Sequence, residues 1–251
     1  MKYSFRNILD SLPVKKNSNS SWWVKLWVRR VSFLFTYLFI NLGFSPNGVS
    51  VLSIFVAVFS FVCFAIPTNS TLICAIIGIN FWLVLDCVDG NIARCRKRKT
   101  VYGEFVDDIG GYYVVAFVYL AISIRAYYMN GCLSGLSHWI IVIGAVSCIS
   151  DILSRLINKD YGNFSMRRKD YIPTDYTNES KKSLTYIRRR IGKEIGISGA
   201  FMPLVIVCGI FNAYDLMTLF YCAFNGAALL STTAIYIYKA DKYDKKGKKD
   251  E

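Results

Sequence analysis

The sequence predicts an all-α integral membrane protein, with six transmembrane helices preceded by an interfacial amphipathic helix. Three observations lead to this fold class. Hydrophobic residues make up 54% of the 251 residues and give a mean hydropathy of +0.35. The chain carries 30 Lys and Arg against 17 Asp and Glu, which is a net charge of +13. The apolar residues gather into runs and the basic residues lie between them, which argues against a soluble basic protein such as a nucleic-acid binder.

Each of six apolar segments approaches the roughly 20 residues that one membrane crossing requires. These segments are residues 49–66, 72–89, 105–126, 139–157, 195–211 and 216–238. They form the core of a predicted domain over residues 46–240.

The connections between these segments differ sharply in charge. Residues 67–71 and 127–137 carry no charge, and residues 212–215 carry a single acid. The opposite side receives the basic residues 96–99, a long basic loop over residues 159–194, and a charged, disordered tail over residues 241–251. The positive-inside rule therefore places both termini and the basic loops in the cytoplasm. We expect the membrane to be a bacterial inner membrane.

Residues 1–45 are predicted to form a cytoplasmic amino terminus that ends in a juxtamembrane helix. The apolar stretch 22–44 is interrupted by Lys25, Arg29 and Arg30 and is then broken at Gly43. A seventh crossing would put the two termini on opposite sides of the membrane. We therefore favour an amphipathic helix at the cytoplasmic interface, with its tryptophans at headgroup level, over a full span.

Four acidic residues lie where the second and third spans meet the cytoplasm. Asp86 and Asp89 end the second span, and Asp107 and Asp108 begin the third. A carboxylate at membrane depth costs about 2.5–3.5 kcal/mol, so such residues indicate function. The alternative is that these acids only cap helices or pair with nearby arginines.

The spacing of these acids predicts a binding cavity. Asp86, Asp89 and Ala93 share one helical face, and Gly103, Asp107 and Gly111 share a face of the next helix. Two antiparallel helices bring those faces together, so three carboxylates flanked by small residues would line one cavity. Oxygen ligands of this kind suit Mg²⁺, Mn²⁺ or Ca²⁺, and Mg²⁺ is usually shared with substrate phosphates.

The acidic stretch reads Asp86-x-x-Asp89-Gly90-x-x-Ala93-Arg94, followed after eight residues by Gly103 and after three more by Asp107. This pattern resembles the signature of the CDP-alcohol phosphatidyltransferases. That signature is D-x-x-D-G-x-x-A-R-x8-G-x3-D-x3-D, and seven of its eight fixed positions match at the right spacing. The six spans, the interfacial helix and the Pro46-Asn47 start of the first span extend the resemblance to most of the chain.

The resemblance implies a six-helix membrane enzyme, commonly a homodimer, whose site faces the cytoplasm. Such an enzyme moves a substituted phosphoryl group from a CDP-linked donor to an acceptor hydroxyl and releases CMP, in phospholipid or phospho-glycan precursor synthesis. By resemblance, Asp86, Asp89 and Asp107 would hold two Mg²⁺ or Mn²⁺ ions. Four further residues would contact the cytidine and its phosphates: Gly90, Ala93, Arg94 and Gly103.

One position departs from the signature. The last aspartate, to which the family's metal-ligand and general-base roles are usually given, falls on Gly111. Asp108 is the candidate substitute base, although it lies about 100° around an ideal helix from Asp107. Glu104 could substitute from one turn nearer the cytoplasm, or the acceptor could already be ionised and need no base. In a further alternative, the protein is catalytically silent and only binds a CDP-alcohol or lipid.

Two basic features are candidates for acceptor binding. Arg155 lies four residues after Asp151, so the two either form an ion pair or Arg155 helps to hold an anionic acceptor. The basic loop, with Lys181, Lys182 and residues 188–190, could recognise a phosphorylated substrate, but we favour contact with anionic lipid headgroups. The sequence does not distinguish CDP-diacylglycerol from a small CDP-alcohol as donor. A transporter is disfavoured because the chain has one acidic cluster and no second copy of it.

Overall fold

The computed structural model describes residues 3–13, 18–97, 100–129, 132–133, 135, 138–167 and 184–247, and within them the chain forms helices and no strand. We number the helices in chain order: α1 Phe5–Asp10, α2 Arg29–Asn41, α3 Pro46–Ala65, α4 Asn69–Cys95, α5 Val101–Met129, α6 Ile140–Arg167, α7 Leu184–Ile195, α8 Met202–Phe211 and α9 Tyr214–Gly247. Two π-helical turns, Val24–Val28 and Ile197–Phe201, precede α2 and α8.

Within the described residues, six helical stretches are long and apolar enough to cross a membrane, as predicted. They are Pro46–Ala65, Asn69–Cys95, Val101–Met129, Ile140–Asn163, Thr185–Phe211 and Tyr214–Lys242. Many large apolar side chains on these helices point outward, among them Phe55, Ile77 and Leu230. An outward apolar surface is the expected property of a helix bundle that is surrounded by lipid.

The bundle is held together by close helix crossings at small residues. α3 packs against α4 and α5, α5 packs against α6, and α6 packs against α9. A Cβ atom on Gly78 would lie 2.2 Å from Ser60 Oγ, and one on Gly144 would lie 2.2 Å from Ser123 Oγ. A larger residue at either position would force the facing serine to move, so glycine lets these helices approach closely, as small residues commonly do within membranes.

The predicted helix before the first span is present. α2 packs against α4, with the rings of Phe35 and Phe81 5.1 Å apart. Its carboxyl end is a Schellman motif in which Phe44 N–H donates to the carbonyl of Phe39, and Gly43 provides the left-handed conformation with φ of +89°. The interfacial position of this helix stays a prediction.

The fifth span and the charged regions differ from the prediction. The fifth apolar segment, predicted from residue 195, belongs to a longer helical stretch that begins at Thr185, because α7 joins α8 through a kink. The basic loop is therefore partly helical, since α6 continues to Arg167 and α7 begins at Leu184. Lys181 and Lys182 lie outside the described residues. The tail is also partly helical, because α9 continues to Gly247.

Candidate active site

A cavity of about 620 Å³ opens where three helices meet: the start of α3, the end of α4 and the start of α5. We name it the three-helix cavity. It is lined by Ser45, Pro46, Asn47 and Ser50 from the start of α3, by Asp89, Gly90, Ala93, Arg94, Arg96 and Lys97 from the end of α4, and by Thr100, Gly103, Glu104 and Asp107 from the start of α5. All four predicted nucleotide-binding residues and two of the three predicted metal ligands are among them.

Local sequence signals bring the three helix ends together. Ser45 caps α3 by accepting from Gly48 N–H at 3.0 Å, with Pro46 at the first helical turn. Thr100 caps α5 by accepting from Gly103 N–H at 3.0 Å and also donates to Asn47 Oδ1 at 3.3 Å. A Cβ atom on Gly103 would lie 2.7 Å from that same Oδ1. Glycine at this position therefore lets α5 begin directly beside α3.

The Asp89 carboxylate is buried and held in one orientation. The side chain is 7% exposed, and Ser50 Oγ donates to its Oδ2 at 2.6 Å. Its Oδ1 accepts from the Gly90 N–H. Ser50 was not identified from the sequence. The sequence feature that could have identified it is a pair of serines, Ser50 and Ser53, on the inward face of an otherwise apolar first span.

The three predicted metal ligands are not equivalent in the structure. Asp89 and Asp107 line the three-helix cavity, whereas Asp86 lines an adjoining cavity of about 540 Å³. Asp107 is exposed and Asp89 is buried. Within the described ranges, no three carboxylate, imidazole or thiol groups are assembled closely enough to hold a metal ion in the present side-chain conformations. The donor set still fits a hard cation, because all three groups supply oxygen.

Arg94 is anchored through a network that reaches α2. Its Nη2 donates to Asn91 Oδ1, and the fully buried Asn91 amide donates to Thr36 Oγ1 at 3.0 Å. The Arg94 Nε atom is buried and has no hydrogen-bond partner. The guanidinium is thus held at the cavity wall with donor capacity left over. The sequence did not predict the role of Asn91, which occupies a variable position of the signature.

Asp108 lies outside the described lining of the three-helix cavity. Its Oδ2 forms an ion pair with Lys159 Nζ of α6 at 2.8 Å, and both side chains are about half exposed. The same ammonium lies 5.6 Å from the centre of the Tyr112 ring. Glu104, by contrast, is part of the cavity lining. At Gly111 a Cβ atom would meet nothing within 4 Å, so the position has open space for a side chain.

Arg155 forms an ion pair with Asp151, which is one of the two alternatives that the sequence left open. Arg155 Nε donates to Asp151 Oδ1 at 3.0 Å, and Tyr119 Oη donates to the other oxygen of the same carboxylate at 3.5 Å. The Arg155 side chain is 47% exposed and its partner is 16% exposed. The geometry therefore gives Arg155 a structural partner, and its role toward an acceptor stays a prediction.

Comparison with known proteins identifies the family of the chain. No curated protein matches the chain. The family model described as CDP-alcohol phosphatidyltransferase matches residues 44–186, more than half of the chain, and this range includes every residue named in the three-helix cavity. The chain belongs to the CDP-alcohol phosphatidyltransferase family.

Proposed function

We propose that the protein is a membrane phosphotransferase that moves a substituted phosphoryl group from a CDP-linked donor to an acceptor and releases CMP. Its products would be phospholipids or phospho-glycan precursors. The observation that supports this most directly is the three-helix cavity, which combines Asp89 and Asp107 with Arg94 between small residues. Members of the family are generally enzymes that depend on divalent metals. A catalytically silent protein that only binds a CDP-alcohol or lipid is the alternative.

The nucleotide part of the donor would lie against α4 and α5. The cavity volume of about 620 Å³ falls within the range of small-molecule sites, about 300–1,000 Å³. Gly90, Ala93 and Gly103 leave room along its walls for the flat base and the ribose. The Arg94 guanidinium, whose Nε has no hydrogen-bond partner, would donate to the donor's phosphates.

Asp86, Asp89 and Asp107 would hold Mg²⁺ or Mn²⁺, with two ions as the expected number. When bound, the metal would neutralise the negative charge of the pyrophosphate and of the departing CMP. Ser50 already orients Asp89 through the 2.6 Å hydrogen bond, as outer-shell donors commonly orient metal-binding carboxylates. The Asp86 side chain would turn toward the three-helix cavity from the adjoining one.

The acceptor hydroxyl must lose a proton as its oxygen attacks the donor phosphorus and the phosphorus–oxygen bond to CMP breaks. Glu104 lines the cavity, whereas the Asp108 carboxylate is paired with Lys159 outside its described lining. Contact geometry therefore favours Glu104 as the proton acceptor. The assignment of this role to Asp108 stays a prediction, and it requires the ion pair between Asp108 and Lys159 to break first. An acceptor that is already ionised would need neither carboxylate.

The remaining features of the proposal concern the surroundings of the site. We propose that the site and both termini face the cytoplasm of a bacterial inner membrane, that the protein is a homodimer, and that its basic loop contacts anionic membrane lipids. Arg155 would contribute to holding an anionic acceptor. The charge asymmetry of the connections supports the orientation.

The test is CMP release by the purified protein with Mg²⁺ or Mn²⁺. CDP-diacylglycerol and small CDP-alcohols are offered separately, each with pooled membrane and cytosolic extracts as the source of acceptor. Metal-dependent CMP release from one donor is the expected result and identifies the donor class. Binding of CMP without release from any donor would support the silent binding protein instead.

A further inference from the structure

The adjoining cavity of about 540 Å³ is built by three separate parts of the chain. Its walls include Ser20, Ser21 and Arg29 from the amino-terminal segment, Asp86 and Cys87 from α4, and Lys193 from α7. We name it the Arg29 cavity. The family signature supplies only one of these walls, because the amino-terminal segment precedes the matched range 44–186.

The two cavities lie on successive turns of one face of α4. Asp86 in the Arg29 cavity and Gly90 in the three-helix cavity are four residues apart. Such residues are neighbours on a helix surface, separated by about 6 Å along the axis. A ligand in the Arg29 cavity would therefore lie next to a donor phosphate in the three-helix cavity.

Arg29 is a buried cation with one donor atom, Nε, that has no hydrogen-bond partner. The residue is 7% exposed, its Nη2 donates to Ser20 Oγ at 2.8 Å, and its Nε has no hydrogen-bond partner. No described carboxylate lies within ion-pair distance of it. Burying a guanidinium is costly unless an anion compensates it, and its fork of donors matches phosphate oxygens. Its environment therefore points to an anionic ligand.

A second cation reaches the same cavity from the fifth span. Lys193 lies on the last turn of α7, and its ammonium donates to the carbonyl of Asn19. The helix then kinks through Gly196 and Gly199, where a Cβ atom on Gly199 would lie 2.1 Å from the Glu194 carbonyl oxygen. At the kink the Ser198 carbonyl accepts from Ser21 Oγ. These contacts fix the amino-terminal segment against the fifth span, so that Arg29 and Lys193 line the same cavity.

We propose that the Arg29 cavity binds a phosphate group of the acceptor substrate, and that Arg29 determines specificity for a phosphorylated acceptor. Arg29 and Lys193 both line the cavity, and its carboxylate, Asp86, is assigned to the metal in the proposed function. The two remaining cations match a phosphate dianion better than a carboxylate monoanion. This inference rests on the proposed function, since it assigns the second substrate of the same reaction. The phosphate can belong to a soluble phosphorylated molecule or to a lipid headgroup, and both present the same chemistry to the cavity.

The first test measures the thermal unfolding midpoint of the purified full chain as inorganic phosphate replaces chloride at constant ionic strength. The variants are Arg29→Gln, Lys193→Gln and the matched control Arg30→Gln, since Arg30 is an exposed arginine next to Arg29. We expect phosphate to stabilise the wild type. Arg29→Gln should raise the half-maximal phosphate concentration by at least about tenfold, Lys193→Gln should raise it less, and Arg30→Gln should leave it unchanged.

Further conditions identify the ligand and the site. Acetate is the monoanion probe, and dihexanoyl phosphatidic acid is the lipid phosphate probe. Tighter binding of the lipid than of inorganic phosphate indicates a lipid acceptor. Tighter binding of inorganic phosphate indicates a soluble acceptor. Acetate stabilising as well as phosphate would overturn the proposal. So would a phosphate effect that Arg94→Gln removes and Arg29→Gln does not.

The second test needs no variant, so it holds even if Arg29→Gln does not fold. Cys87 lines the Arg29 cavity, whereas Cys74 is exposed on the same helix far from it. We expect inorganic phosphate to slow alkylation of Cys87 by iodoacetamide, measured by peptide mass spectrometry, and to leave Cys74 unchanged. Equal rates at Cys87 with and without phosphate would contradict the inference. Neither test contains nucleotide. A failure to bind phosphate therefore contradicts this inference, whereas a failure to release CMP contradicts the proposed function.

Discussion

The hydrogen bond between Ser50 and Asp89 should control metal affinity. Ser50 is 4% exposed, and its Oγ lies 2.6 Å from Asp89 Oδ2. The Ser50→Ala substitution removes the donor while leaving the methyl-sized Cβ in place. The carboxylate would then lose the contact that orients it, and one oxygen would be left with fewer partners in a buried position.

The size of the effect follows from the type of bond. A hydrogen bond to a charged group contributes about 1.5–3 kcal/mol, and about 1.4 kcal/mol corresponds to tenfold in an equilibrium constant. Ser50→Ala should therefore raise the Mg²⁺ concentration for half-maximal activity by about 10-fold to 100-fold, as observed for outer-shell partners of metal ligands. The rate at saturating Mg²⁺ should fall much less, since the bound metal itself would orient Asp89.

The assay is CMP release as a function of Mg²⁺ concentration, with Ser53→Ala as the matched control. Ser53 is equally buried on the same helix, but its hydroxyl donates at 2.7 Å to the carbonyl of Ser50 and not to a carboxylate. Its substitution should leave the metal dependence unchanged. An unchanged metal dependence in Ser50→Ala, or an equal shift in both variants, would refute the reasoning.

Three further predictions concern single positions. Gly111→Asp should leave the thermal unfolding midpoint unchanged, because a side chain there meets open space; a large loss of stability would contradict the open geometry. Glu104→Gln should lower CMP release by about 10²-fold or more, and Asp108→Asn should have a smaller effect; full rates in both would favour an acceptor that is already ionised. Arg125→Met should lower the free energy of unfolding, because the fully buried Arg125 guanidinium donates to the carbonyls of Ile66 and Thr68. The expected loss is about 1–3 kcal/mol for each carbonyl that is left without its donor. Chemical denaturation measures that loss, and unchanged stability would show that water or another donor replaces the arginine.

The six spans were predictable because length and hydropathy are properties of single helices. The start of the helix that contains the fifth span was harder to predict from the sequence. Its first turns contain Arg188, Arg189 and Arg190, which reduce the local hydropathy, yet Arg188 donates to Asn158 of α6 at 3.0 Å and Arg189 donates to Tyr236 of α9 at 3.1 Å. Contacts with other helices thus extend this helix where its own composition predicts a loop.

The lining of the three-helix cavity was predictable for a related reason. Helical spacing predicted that Asp89 and Asp107 would share a cavity with Gly90 and Arg94, and the structure brings them together. Spacing alone did not predict that Asp86 lines a different cavity. The lining of that cavity includes Arg29, which comes from a segment far from Asp86 in the sequence. A helical wheel gives the face of a residue and not the partner that covers that face.

The most direct test of the central claim compares CMP release by the wild type and by Asp89→Asn, each with Mg²⁺ and with EDTA, while CMP binding is measured on the same samples. The account predicts metal-dependent release by the wild type, no release by Asp89→Asn, and CMP binding by both, since Arg94 is unchanged. Wild-type rates in Asp89→Asn, or release by the wild type that EDTA does not affect, would contradict the proposed metal site.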